Sequence, residues 1–402
     1  MLDLAHHFSR FAAADPERIH FAAHSHHYWP DVTYEAQKQY WDDSARYADE
    51  KWDLIFGRII TDVRKGIARI LTLPDPATIA FAPNTHDFLR RLLSALPANR
   101  SPRILTTDSE FHTVTRQLAR LEEDALVLVD RVAAEPFETF PARFAAAMRA
   151  DHDLIYCSQV FFNSGASAGS LEQLAAAAPS RETLIAIDGY HGFMAVPTDL
   201  SALAHRVFYL AGGYKYAMAG EGVCFMHCPP EYAPRPRDTG WFAAFGALAS
   251  GAVGVPYGED GSRFLGATFD PSGLYRLRSV IHWMEENTIT VERIHEHVVA
   301  IQNVFLATVQ GGFAPQLSRA RLVTPLGARD RAHFLAFQMP DAQELHDRLL
   351  ALRIVTDVRG DRIRFGFGCY HRPSDVERAV ERISKAPSFS AHGIKEAESR
   401  GP

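Results

Sequence analysis

Two residues and the stretches around them carry most of the chemistry that can be read from this chain. Lys215 lies in Ala211-Gly-Gly-Tyr-Lys-Tyr-Ala-Met-Ala-Gly-Glu-Gly-Val223, between two tyrosines and among Gly212, Gly213, Gly220 and Gly222. Glycines permit left-handed turns and close approach of backbone to a ligand. A lysine held in such a place suits an imine-forming amine, whose pKa falls on desolvation or beside another cation. The plainer alternative is an exposed lysine on a Gly-rich loop. Asp188 ends the short apolar run Thr183-Leu-Ile-Ala-Ile-Asp188, with His191 three positions on. Such a run reads as a buried strand of a parallel sheet. The carboxyl ends of those strands are where open α/β sheets hold ligands. The alternative for Asp188 is a turn or cap former after the strand.

A lysine for an aldehyde and an acid for a pyridinium nitrogen are the two groups that pyridoxal phosphate (PLP) requires of a protein. Asn84-Thr85-His86 closes another strand and opens a helix. Helix N-terminal N–H groups with a Thr hydroxyl can hold a phosphate, and a plain Asn/Thr cap is the alternative. Phe111 follows the next strand in the equivalent position, where an aromatic ring can lie on a pyridine or simply fill the core. His24, His26 and His27 cluster in Ile19-His-Phe-Ala-Ala-His-Ser-His-His-Tyr-Trp-Pro30. No carboxylate or cysteine completes a ligand set there, so no metal is expected, and the loop reads as polar lining of a site mouth.

The totals agree with a soluble enzyme. A chain of 402 residues with 47% hydrophobic and 22% charged residues suits a globular protein of two or three domains. The net charge of −6 argues against nucleic acid or an anionic membrane as partner. No apolar run approaches the ~18 residues of a membrane span. The start Met1-Leu-Asp-Leu-Ala-His-His-Phe does not read as a signal peptide. Cys157, Cys224, Cys228 and Cys369 have no zinc-site spacing and suit a reducing cytoplasm.

Elements that could position these residues alternate as β and α. Strands are expected at 78–82, 103–108, 126–130, 154–160, 183–188, 206–210 and 223–227. Helices are expected at 87–96, up to 123, at 140–150 and at 170–178. Before them come a short helix over 2–14, a strand-like entry from Ile19, a helix over 33–56 and another over 62–71. Residues 229–272 read as a long irregular segment and 274–307 as one long helix. The C-terminal part alternates again: strand 333–338, helix 342–352, strand 362–367, helix 375–385. The expected division is 1–60 as an N-terminal segment packing on the small domain at the site mouth, 61–280 as the large cofactor-binding domain, 281–386 as the small domain and 387–402 as a polar tail. The class is α/β: a mostly parallel sheet flanked by helices plus a smaller α+β domain.

With these residues gathered, the sequence resembles the class V aminotransferase group of fold type I PLP-dependent enzymes, and within it kynureninase. The resemblance rests on Asp188-Gly-Tyr-His191, Gly213-Tyr-Lys-Tyr-Ala-Met-Ala-Gly-Glu-Gly222, Gly240-Trp-Phe242, Glu110-Phe111, and Arg362-Ile-Arg364 followed by Tyr370-His371. It implies that Lys215 bonds the cofactor aldehyde and shuttles protons, and that Asp188 pairs with the pyridinium nitrogen. It implies that Phe111 stacks on PLP, and that His191 and Tyr214 contact the phosphate with Asn84, Thr85 and Trp241 nearby. Thr268, in Gly266-Ala-Thr268, would reach the phosphate of a partner subunit, which makes the expected unit a homodimer with shared sites. Arg364 would grip the α-carboxylate of an amino-acid substrate, with His26 in its loop and Asp270 setting side-chain preference. Plainer alternatives are an Arg364 that only pairs with a neighbouring acid and an Asp270 that only starts a turn. The chain departs from the family pattern twice: Ala45-Arg-Tyr-Ala-Asp-Glu-Lys-Trp52 has no His, and Phe269-Asp270-Pro271 has Asp where the family has Asn. The implied reaction is a kynureninase-like hydrolytic or other C–C or C–X cleavage. The alternatives are amino transfer to a 2-oxo acid and, lower, cysteine desulfuration, because Cys369 lies after Arg364 rather than before it.

Overall fold

The computed structural model describes residues 1–247, 254–312, 315–327 and 331–386. The expected tail at 387–402 and part of the expected irregular segment lie outside the described residues. In chain order the strands are β1 (Ile19–His20), β2 (Ile79–Ala82), β3 (Arg103–Thr107), β4 (Leu128–Val132), β5 (Leu154–Ser158), β6 (Leu184–Asp188), β7 (Phe208–Gly212), β8 (Cys224–His227), β9 (Arg321–Leu322), β10 (Phe334–Gln338), β11 (Ile354–Val355), β12 (Asp357–Arg359) and β13 (Arg362–Gly366).

A seven-stranded sheet in the order β2-β8-β7-β6-β5-β3-β4 carries the site. All its strands run the same way except β8, which is antiparallel to both neighbours. Strands β5, β6 and β7 are buried along their whole length. That is why they read as continuous apolar runs: helices cover both faces of such a sheet. Charged side chains are accommodated where a strand ends, and Asp188 is the last residue of β6. Gly212 of β7, Cys224 of β8 and Ala82 of β2 lie in one row across the sheet. This row brings the lysine loop and the start of helix Thr85–Ser94 to the same edge as Asp188.

A second, antiparallel sheet has the order β12-β13-β10-β9. β1 pairs in parallel with β11, Ile19 opposite Ile354, and so ties the N-terminal segment to the C-terminal part of the chain. Helix Val32–Tyr47 packs on helix Ser272–Glu286, where Tyr275 donates to Asp43 at 3.0 Å. Among the described residues no helix is long and apolar enough to cross a membrane.

Several expected boundaries differ. The helix expected over 33–56 breaks at Ala48, which adopts φ 45°, and resumes as short helical turns leading into helix Ile60–Ile70. The single helix expected over 274–307 is two, Ser272–Glu286 and Val291–Gln310. Thr288 turns left-handed at φ 53°, and Thr290 caps the second helix by accepting from the Arg293 N–H. The boundary expected at 280 therefore falls inside a helix. β4 begins two residues later than expected, because the Leu126 N–H still bonds the Leu121 carbonyl and closes the preceding helix. Periodicity did not signal β9, β11 and β12, which have two, two and three residues.

Candidate active site

Lys215 is buried in the turn after β7. Two of its glycines show why the loop needs them. A side chain at Gly212 would strike the Tyr190 ring and the Cys224 sulfur, and Gly220 sits at φ +71° against Trp29. Met218, on the same turn, is left-handed at φ 57° without being glycine, a local strain that recurs at functional sites. The lysine Nζ lies 2.9 Å from His191 Nε2 and 4.8 and 5.3 Å from the centres of the Tyr190 and Phe111 rings. Burial pushes its pKa from 10.5 down to about 7; Asp188 opposes this and Arg364 adds to it. Nζ is therefore neutral in about half of the molecules near pH 7, far more than an ordinary lysine. His191 is buried beside it, and burial and the lysine's charge hold its ring well below the ordinary histidine range.

Asp188 is held from two sides. One oxygen accepts from the Tyr190 N–H at 2.9 Å, the other from the Tyr156 hydroxyl at 3.0 Å. Burial raises its pKa, while the two hydrogen bonds and the charge of Lys215 act against that rise. Behind it Glu110 is fully buried, bonded to Thr107 at 2.7 Å and to the Ser158 hydroxyl at 2.5 Å. Burial raises Glu110 to about 7. Neither Tyr156 nor the role of Glu110 was marked by a sequence motif.

Phe111 is half-buried at the start of helix His112–Glu123 and faces the lysine. Tyr214 packs on Tyr190 at 4.9 Å and under His26 at 5.2 Å. His26 itself is exposed, with Glu221 at 3.5 Å. Asn84 is exposed and caps helix Thr85–Ser94 by accepting from the Asp87 N–H at 3.0 Å. With Thr85 it lies on the site's edge of the sheet, and its remaining N–H groups point outward from a helix start. Trp241 is 44% exposed, Thr268 is exposed, and no contact joins either to Lys215 among the described residues. Asp270 is exposed and accepts from the Ser272 N–H and hydroxyl at 2.8 and 2.9 Å, opening helix Ser272–Glu286. No contact joins it to Lys215 among the described residues. His24 and His27 are buried, and among the described residues no cluster of metal-ligating side chains is present.

Arg364 of β13 is buried and close enough for its charge to act on Lys215. It is paired with Asp357 of β12, its antiparallel neighbour, and also donates to the Phe162 carbonyl. The sequence contained a signal for this pair. Gly360-Asp361 between two runs marks a two-residue hairpin, and that register sets 357 opposite 364.

The donor set fits PLP. Among the described residues, no hydrogen-bond partner reaches the buried Asn163 Oδ1, Tyr216 hydroxyl or Arg364 Nε. All three belong to segments that meet at Phe162, Lys215 and Arg364. Buried polar atoms without partners are costly, and a polar ligand reaching them would supply what they lack. A neutral amine, a carboxylate fixed at a strand end, an aromatic face and an open helix start complete the set.

Comparisons with known proteins agree. Residues 294–383 match the family model of the kynureninase C-terminal domain. Kynureninase of Deinococcus radiodurans is 24% identical over 362 residues, spanning 85% of this chain and 84% of that protein. Among solved structures, the cystine C–S lyase C-DES with its reaction product cysteine persulfide superimposes with a TM-score of 0.75 at 17% identity, covering 92% of this chain and 97% of that one. An apo cysteine desulfurase from Thermococcus onnurineus gives 0.75 at 16% identity, covering 92% and 94%. The fold is that of the fold type I PLP-dependent enzymes, and the sequence is similar to kynureninase over most of its length.

Proposed function

We propose that this chain is a PLP-dependent enzyme that cleaves an amino-acid substrate in the kynureninase manner, by hydrolysis or a related C–C or C–X scission. The observation that supports the reading best is Lys215: a buried amine with a pKa of about 7, beside His191, beneath Phe111, at the edge of the sheet where β6 delivers Asp188. When bound, PLP supplies an electron sink for a carbanion at the substrate α-carbon. Lys215 would hold its aldehyde, Asp188 its pyridine nitrogen and Phe111 one ring face. His191, Tyr214, Asn84 and Thr85 would lie towards its phosphate.

The chain's own residues then have distinct tasks. A neutral Nζ can act as nucleophile and can take up and return a proton without first losing one. His191 Nε2 fixes the direction of Nζ. Tyr156 and the Tyr190 N–H pin both Asp188 oxygens, so the carboxylate meets its partner without reorganising. A cationic partner lowers the pKa that burial has raised and keeps Asp188 ionised. Arg364 is the carboxylate anchor, with the fork geometry that suits one. Phe111, Phe162 and Phe334 around the lysine and Arg364 keep water from this space.

Trp241 and Thr268 are exposed on one chain, and in this reading they complete the site of a second copy in a homodimer. Cys369 is not arranged as a sulfur-carrying nucleophile. It is buried against Met218 at 3.6 Å, and burial pushes its thiol up to about 12. Borohydride reduction followed by peptide mapping tests the cofactor site, with the phosphopyridoxyl group expected on Lys215. Turnover of a panel including kynurenine, with and without a 2-oxo acid, tests the reaction. A label on another lysine refutes the site, and turnover that requires the oxo acid refutes the cleavage reading in favour of amino transfer.

A further inference from the structure

Arg364 is where the proposed function places a substrate carboxylate, yet its fork is already engaged. One terminal nitrogen donates to Asp357, the other to the Phe162 carbonyl, and Nε has no partner among the described residues. Asp357 in turn serves two cations. Its second oxygen accepts from Arg359 at 2.8 Å. The Arg364 side chain is 4% exposed and that of Arg359 42%, so this one carboxylate bridges a buried guanidinium and a surface one. The His24 ring approaches the same carboxylate at 3.5 Å while stacked on Phe334. Burial holds that ring neutral, with a pKa of about 3. The cluster thus holds two positive charges and one negative, and all three act on Lys215.

We propose that Asp357 is a specificity-determining stand-in for the substrate carboxylate: it occupies Arg364 in the free protein, cedes the guanidinium to an incoming amino-acid carboxylate, and stays on Arg359. The inference deepens the proposed function and rests on its placement of the substrate carboxylate at Arg364. A buried guanidinium without a partner is strongly destabilising, so the empty site must keep Arg364 paired. Exchanging one carboxylate for another leaves the buried charge unchanged. Arg359 keeps the displaced Asp357 from being stranded, and Nε, the unpaired donor, becomes available for a two-point grip on the newcomer. The single surplus positive charge matches a single substrate carboxylate. An amine without a carboxylate has nothing to exchange, so the device selects amino acids over simple amines. It also weakens every carboxylate ligand relative to a bare arginine.

The test uses the holoenzyme and an amine-free probe, 3-phenylpropionate, with binding read from the thermal-unfolding midpoint and tryptophan fluorescence. Asp357→Asn keeps the shape and removes the competing charge. It is expected to bind the probe about tenfold more tightly than wild type, ~1.4 kcal/mol. Arg359→Gln removes the place to which Asp357 retreats and is expected to bind several-fold more weakly. Equal or weaker binding by Asp357→Asn overturns the proposal, as does binding to neither protein. If Asp357→Asn is recovered unfolded, Arg359→Gln decides alone, and an unchanged affinity there overturns it. Borohydride labelling of the same preparations separates the two readings. Label on Lys215 with no change in affinity refutes the stand-in only, whereas label absent from Lys215 refutes the function on which it rests.

Discussion

Replacing Lys215 with methionine should stabilise the cofactor-free protein, and the gain should depend on pH. The amine ordinarily titrates at 10.5 and is brought to about 7 in the fold, by burial above all. At 1.36 kcal/mol for each tenfold change in proton affinity, that corresponds to roughly 4–5 kcal/mol of disfavoured protonation. The sign follows from proton counting. Between about pH 7 and 10.5 the unfolded chain binds a proton at this site that the folded chain does not, so wild-type stability rises with pH over that window. The penalty is complete below about pH 7 and absent above 10.5. Methionine has a similar reach and no charge, and fills the same space.

Urea unfolding of the two cofactor-free proteins, side by side, provides the assay. The advantage of Lys215→Met should be on the order of 4 kcal/mol at pH 7 and fall below about 1 kcal/mol at pH 10. Other groups titrate over this range, but they are common to both proteins and cancel in the difference. What remains at pH 10 is packing plus the last part of the protonation penalty, since an unfolded amine of pKa 10.5 is still mostly protonated there. An advantage equal at both pH values, or none at all, would show that the amine is charged in the fold. Lys215 would then not be poised as a neutral nucleophile.

Asp188→Asn keeps the shape and one accepting oxygen but removes the charge, so borohydride should still label Lys215 while kcat falls on the order of 10²-fold, the size seen when one preorganised polar group opposite developing charge is lost; turnover within a few-fold of wild type would contradict the role. Mixed Lys215→Ala and Thr268→Ala chains, each inactive alone, should regain part of the activity through hybrid dimers that hold one intact site, and a fully active monomer in sedimentation would refute shared sites.

The sheet was legible because burial on both faces forces its strands into unbroken apolar runs, as in Leu184-Ile-Ala-Ile, and leaves the chemistry at their ends. Asp188, His191, Phe111 and Lys215 could be placed together for that reason: each ends or follows a strand, and parallel strands deliver their last residues to one edge. Helix interruptions were less legible. Thr288 and Ala48 adopt left-handed conformations that neither residue type favours, so local propensity gave no warning of either break. Trp241, Thr268 and Asp270 are a different case. They are visible in the sequence, but the chain leaves them on its surface, and the proposed homodimer would have to bring Trp241 and Thr268 to a lysine in a way that sequence order does not indicate.

Tyr156 and Asp357 show two ways in which a site residue escapes a sequence reading. Tyr156 lies inside β5 and reads as core, because its ring is core; only the register Ser158 opposite Asp188 brings its hydroxyl to that carboxylate. A polar atom at the tip of an apolar side chain leaves no trace in periodicity. Asp357 sits on a strand of three residues, too short for alternation to register. Its partner could still be reached by geometry, since a two-residue turn at Gly360-Asp361 aligns every pair across the hairpin. The consequence for function is direct. An arginine on a strand of the small sheet reads as a free clamp when considered alone, and as one half of a buried exchange when its neighbour across the ladder is an aspartate. The strength of substrate binding is then set by the difference between two carboxylates competing for Arg364, and that difference is what Asp357→Asn measures.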